Sequence, residues 1–353
     1  MSPFSYASGI CAEPWRGIDP RVNEERASIS RRLPRLLLIG VVTFLLMALV
    51  TVALGLSRAW TNWMVLGGGS GEELTLRPLF ICAALVLGVL ALLMTSWSWA
   101  ILFKVSGGRT RTSEAAAAWL GSNLGRYLPG KVWQLTSIAA YLAARGDTGS
   151  IAFTVSLALQ AVMLAVGALL GVGVLGPLIF TALDPWLLVI GGSGVLIALH
   201  PAVLRWVTRF VRKVLKEDRT GDREDASKAP LSGGITARSI FLAAVAAVLI
   251  WSVYGFGFWV LVTSLFAEHG MTFPMATAVF AMSYVMGYMA IIAPGGLLVR
   301  EGAIIGLLGV VAGMPLGSAA IIALVARVWT TVAEILALGL AIAFGLRKSP
   351  HSR

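Results

Sequence analysis

Long apolar runs recur along this chain, separated by short and often basic polar stretches. A run of about 18 or more apolar residues is long enough to cross a bilayer as a helix. Outer-membrane barrels show alternating runs of about ten residues instead, and that pattern is missing from the sequence. The runs predict full spans at about Leu36–Leu56, Leu79–Phe103 and Ile151–Leu175, a fourth ending near Trp206, then Ile240–Phe266 and Ser318–Leu346. Two weaker runs, 113–145 and 275–313, are each broken near the middle, at Pro129-Gly130 and at Pro294-Gly295-Gly296. Proline and glycine disrupt a helix, and hydrocarbon cannot satisfy the freed backbone groups. The pattern is that of an all-α, polytopic helical membrane protein with about six full spans plus two interrupted re-entrant hairpins.

Composition agrees: 58% of the 353 residues are hydrophobic and 13% are charged, against about 25% charged in soluble domains. The net charge of +11 is not a nucleic-acid signature here, because the basic residues cluster between apolar runs. The chain divides into a basic tail 1–35, a membrane half 36–206, a charged linker 207–238, a second half 239–346 and a short tail 347–353. Both tails and the linker are expected on the cytoplasmic side. In that topology, of 28 Lys and Arg only Arg58 and Arg77 face outward, while Arg126, Lys131, Arg300 and Arg327 fall within the membrane. Hairpin one then enters from the cytoplasm and hairpin two from outside, as in an inverted repeat with a site near the midplane. Two full spans with surface turns at each hairpin are the alternative.

The breaks carry the candidate chemistry. A helix starting at a Pro-Gly within the membrane exposes backbone N–H groups and a partial positive charge. After Pro129, the N–H groups of Gly130, Lys131 and Val132 would meet a phosphate, with Arg126 and Lys131 adding full charges. After Pro294, Gly295 and Gly296 would allow close backbone approach, and Arg300 would clamp phosphate oxygens. The competing reading lets Arg126 and Lys131 snorkel to an interface and makes Arg300 one half of a structural ion pair. Glu301 points about 100° away from Arg300 around a helix, so the two are poor partners. Arg327 and Glu334 lie on nearly one face of the last span. Pairing offsets the cost of charge in the bilayer, which predicts Arg327–Glu301 or Glu334–Arg300. Asn123, Gln134 and Gln160 would line a polar cavity or bond helix to helix.

No catalytic constellation, metal spacing or nucleotide loop is present in the sequence, so neither an enzyme nor a metal or other cofactor is expected. His200, His269 and His351 are scattered over loop ends and a tail.

The segments Ser122-Asn-Leu-Gly-Arg-Tyr-Leu-Pro-Gly-Lys-Val-Trp-Gln134 and Ala293-Pro-Gly-Gly-Leu-Leu-Val-Arg-Glu-Gly302 resemble signature segments of the lysylphosphatidylglycerol synthase transmembrane-region family. This is the flippase-like membrane part of the bacterial multiple peptide resistance factor. The resemblance implies a bacterial plasma-membrane protein that moves a lipid between leaflets. The synthase activity of that family resides in a further aminoacyltransferase domain and is not implied. Trp133-Gln134 stands where many members have Gly-Asp, and Leu298 where many have Gly, so the headgroup is not fixed by the resemblance. The expected function is a flippase for a lipid with a phosphate headgroup, either a phospholipid or a polyprenyl-phosphate glycolipid. The alternatives are a small-solute or ion-coupled transporter, and a non-transporting subunit of a glycosyltransferase or lipid-modifying enzyme. The expected partners are the lipid, such an enzyme, and further copies of the chain, with no nucleic acid.

Overall fold

The computed structural model describes residues 74–127, 132–179, 236–267, 269–290 and 293–345, without side chains for 132, 177–179, 294 and 342–345. The expected first span, the fourth span, most of the charged linker, and Pro129, Gly130 and Lys131 lie outside the described residues.

The regular structure among the described residues is helical, with short loops between helices and one isolated bridge between Leu74 and Phe266. Helix α1 is Pro78–Val105 and α2 is Thr112–Ser122, followed by a 3-10 turn at Asn123–Tyr127. Helix α3 is Val132–Ala143, α4 is Gly149–Ile179, α5 is Ala237–Leu265 and α6 is Phe273–Met289. A second 3-10 turn, Pro294–Gly296, precedes α7, Val299–Ala312, and α8, Leu316–Gly345. Helices α1, α4, α5 and α8 are long and apolar enough to cross a membrane. Their outward faces carry large apolar side chains, among them Leu79, Val86, Phe241, Leu249, Leu316 and Ile335. Bands of this kind fit a membrane protein.

Local chemistry sets the helix ends. Pro78 opens α1, where its missing N–H costs nothing. Thr236 and Ser239 form a reciprocal capping box at the start of α5. Gly313, with φ of 61°, ends α7.

The two halves of the sequence interleave: α5 packs along α1, α6 lies against α4 and α5, and α8 crosses α1 and α2. Thr75 and Arg77 donate to the carbonyls of Leu265 and Ser264, so the start of α1 meets the end of α5 and the two run antiparallel. At the other end of α1, the Asp147 carboxylate accepts from the N–H groups of Arg109 and Thr110, from the Thr110 hydroxyl and from the Thr148 N–H. That clamp ties the α1–α2 loop to the α3–α4 turn. Burial pushes the Asp147 carboxyl up, but these bonds outweigh it and hold the group below the usual carboxylate range.

Helix packing rests on tryptophans seated against small residues. Trp329 of α8 lies over Gly88 of α1 and Gly257 of α5, where any Cβ would approach its ring to 2.9 Å. Its indole N–H donates to the Ala84 carbonyl, as that of Trp251 does to Met163 and that of Trp99 to the Ser156 hydroxyl. Each buried N–H therefore has a partner on another helix.

Candidate functional site

Both interrupted segments end in the same place. Around Gly295 of the second turn, a Cβ would lie 3.2 Å from the ring of Tyr127, at the end of the first turn, and 3.2 Å from Nη2 of Arg327 on α8. The first turn is held from behind by Asn123, whose carbonyl oxygen accepts from Gln134 Nε2 at 2.6 Å. At Gly125 a Cβ would sit 2.8 Å from the Gln134 backbone nitrogen, so α3 returns directly over the turn.

The second break differs from the expectation of a helix beginning at Pro294. Helix α7 starts at Val299, because Gly295 (φ 57°), Gly296 (φ 69°) and Leu298 (φ 67°) adopt backbone that a right-handed helix excludes. The N–H groups offered at its first turn are those of Val299, Arg300 and Glu301. The close approach that Gly296 permits is to α6 rather than to open space. A Cβ there would lie 2.7 Å from the Gly287 carbonyl oxygen, and a Cβ added to Gly287 would in turn lie 3.0 Å from the Arg300 Cβ.

Two ion pairs staple the breaks to α8. Arg126 Nη2 lies 3.4 Å from Glu334 Oε1, and the Tyr127 hydroxyl donates to Glu334 Oε2. Arg327 Nη1 lies 3.4 Å from Glu301 Oε1 and donates to the Gly295 carbonyl at 3.2 Å. Of the two pairings expected from the sequence, Arg327–Glu301 forms and Glu334–Arg300 does not. Glu334 faces the first break instead, and among the described residues Arg300 has no carboxylate partner. Its guanidinium sits 4.7 Å above the Phe280 ring and 5.8 Å from that of Tyr284. Among the described residues it makes no hydrogen bond and no ion pair, and its Nε is buried without a partner.

These side chains border two adjoining cavities. The smaller, about 580 Å³, is lined by Arg126, Arg300 and Arg327, by the hydroxyl-bearing Tyr127, Tyr284 and Tyr288, and by Gly295 and Gly296. The larger, about 810 Å³, shares Arg126, Gln134, Tyr284, Arg300 and Glu334 with it and continues into an apolar wall that includes Leu92, Leu159, Met163 and Trp251. Gln160 faces this larger cavity and bonds the Tyr284 hydroxyl at 3.5 Å.

The residues singled out in the sequence therefore separate into groups. Arg126, Gln134, Gly295, Gly296, Arg300, Arg327 and Glu334 face the cavities. Asn123 and Glu301 are buried behind them, bonded to Gln134 and paired with Arg327. The Pro294 backbone forms the second turn, and its side chain lies outside the described residues. The tyrosines went unremarked in the sequence, although four of the chain's six, Tyr127, Tyr254, Tyr284 and Tyr288, gather here. Tyr284 and Tyr288 repeat at i, i+4 in an apolar helix, which puts two hydroxyls on one face.

No protein-family model matches the chain, and no curated protein matches it. Among the described residues no group of His, Cys, Asp and Glu is placed to hold a metal ion.

Proposed function

We propose that this protein moves a lipid with an anionic phosphate headgroup between the leaflets of a bacterial plasma membrane. In this reading the chain makes about six full spans. The two broken segments are re-entrant hairpins entering from opposite sides, with both termini cytoplasmic. The headgroup sits in the smaller cavity between Arg126, Arg300 and Arg327, and the acyl or prenyl chain lies along the apolar wall of the larger one. The observation that carries the reading is Arg300: a cation with no carboxylate partner among the described residues, facing both cavities. Isolated intramembrane charge is costly, and a phosphate that neutralises it offsets that cost. The tyrosine hydroxyls supply further donors to phosphate oxygens.

The same arginines would serve a water-soluble anion, but the apolar wall beside them favours a lipid. The test is reconstitution in liposomes with fluorescent phospholipids and polyprenyl phosphates. Wild-type protein is expected to speed transbilayer movement of at least one lipid over empty vesicles, and Arg300→Ala to remove the gain. Wild-type movement no faster than empty vesicles across the panel overturns the proposal. Uptake of a soluble anion without lipid movement would select the other reading.

A further inference from the structure

The larger cavity holds neutral polar groups that helix packing leaves over. The indole N–H groups of Trp99, Trp251 and Trp329 all donate to neighbouring helices. Trp119 of α2, 8% exposed, lines the cavity, and its N–H makes no hydrogen bond among the described residues. Tyr254 of α5 lines it too, and its hydroxyl is likewise without a hydrogen-bond partner among the described residues. Gln134 of α3 donates its amide N–H to Asn123, and Gln160 of α4 reaches the Tyr284 hydroxyl only at 3.5 Å. The carbonyl oxygens of both glutamines therefore accept nothing among the described residues, and both side chains line the same cavity. Four helices thus bring two donors and two acceptors, all uncharged, to one space.

From this we infer that the phosphate of the transported lipid carries a sugar, whose hydroxyls meet Trp119, Gln134, Gln160 and Tyr254. The inference rests on the function proposed above and narrows its substrate class. Arg126 and Arg300 border both cavities, so a phosphate held between them opens onto the larger one as well as the smaller. There its lipid chain follows the apolar wall and its second substituent meets the neutral groups. An unpartnered polar group shielded from water is costly, and the occupant that removes the cost has to accept from two groups and donate to two. A hydroxyl does both. A quaternary ammonium does neither, a primary ammonium only donates, and phosphate oxygens only accept. A glycerol ester offers two hydroxyls to four groups on four helices, whereas a hexose carries four around one ring. The rings of Trp119, Trp251 and Tyr254 line the same cavity and offer flat apolar faces to the C–H groups of such a ring.

The test is binding of the methyl, glyceryl, glucosyl and mannosyl esters of farnesyl phosphate to the full-length protein in phosphatidylcholine nanodiscs at neutral pH. The four share chain and charge and differ in the hydroxylated substituent. Each hydrogen bond gained is worth about two- to tenfold in affinity. Wild type is therefore expected to bind the tighter of the two sugar esters at least about tenfold better than the methyl ester, and better than the glyceryl ester. Trp119→Phe and Tyr254→Phe each remove one donor and keep a ring, and each is expected to reduce the sugar-to-methyl ratio at least about twofold. Equal binding of sugar and methyl esters overturns the inference, and is the outcome if water alone satisfies these groups. Glyceryl ester binding as tight as that of both sugar esters overturns it as well, as does a ratio unchanged in both folded variants. If neither variant folds, the wild-type ratios decide. Glucosyl methyl phosphate and mannosyl methyl phosphate carry the headgroup without the chain, and binding as tight as that of the farnesyl esters would overturn the assignment to a lipid. If wild type binds none of the farnesyl esters, the proposed function falls with the inference. Binding of all four without preference sinks the inference alone.

Discussion

Arg126 and Glu334 lie 3.4 Å apart, although one belongs to the break in the first hairpin and the other to the last helix. This pair joins the first interrupted segment to the last helix at the cavities. It also takes Glu334 away from Arg300, which has no carboxylate partner among the described residues. Glu334→Ala leaves Arg126 uncompensated and the Tyr127 hydroxyl without its acceptor there. Breaking a fully buried pair costs about 3–5 kcal/mol, and the residual exposure here of 20% and 18% reduces the expected loss to about 1–3 kcal/mol. A fall in Tm in detergent, with Arg126→Ala and the double variant completing a cycle that shows coupling, is the check.

Arg300 is expected to behave in the opposite way. Its ring contacts are worth about 0.5–2 kcal/mol, while an isolated charge in the bilayer costs about 2.5–3.5 kcal/mol. Arg300→Met should therefore leave stability unchanged or raise it by about 1 kcal/mol, while abolishing lipid movement. A clear drop in Tm would mean that the guanidinium is structural.

The second break depends on glycine in one place and tolerates strain in another. Gly296→Ala introduces a Cβ 2.7 Å from the Gly287 carbonyl oxygen at a φ of 69°, and should cost about 2–4 kcal/mol. Leu298 has φ 67° and ψ −38°, a conformation costly for a residue with a Cβ, and its side chain is exposed and so gains little from packing. Leu298→Gly should stabilise by about 0.5–1 kcal/mol, read as a higher Tm.

Asp147 gives a pH dependence of known sign. Its carboxyl titrates lower in the folded protein than in the unfolded chain, where 3.8 is the ordinary value. Its contribution is therefore fully present above about pH 4 and is lost as the pH falls through the lower folded value. The Tm advantage of wild type over Asp147→Asn should hold at neutral pH and shrink in this acid range.

Some of this site was legible in the sequence. The cost of leaving a charge alone in hydrocarbon pointed to Arg327–Glu301 or Glu334–Arg300, of which only the first forms, and the two breaks followed from Pro-Gly in otherwise apolar runs. The tyrosines were not legible, because a hydroxyl-bearing ring in an apolar span reads the same whether it packs or lines a cavity. The start of α7 was also missed. Gly295 and Gly296 permit positive φ without requiring it, and the positive φ of Leu298 is imposed by its surroundings.

What the sequence determined by itself is local: apolar runs long enough to be membrane helices, and the points where proline and glycine prevent a helix from continuing. Both follow from backbone sterics and from the absence of water to satisfy a freed N–H or carbonyl. Which cation meets which carboxylate was decided only by the tertiary structure. Tyr127 and Glu334 are separated by 207 positions, and their contact depends on how α8 crosses the first half of the chain. Low dielectric requires that buried charges be compensated, but it does not name the partner. The packing of Trp329 on Gly88 and Gly257 sets where α8 lies against α1 and α5, and with it the position from which Glu334 reaches Arg126 and leaves Arg300 facing the cavities.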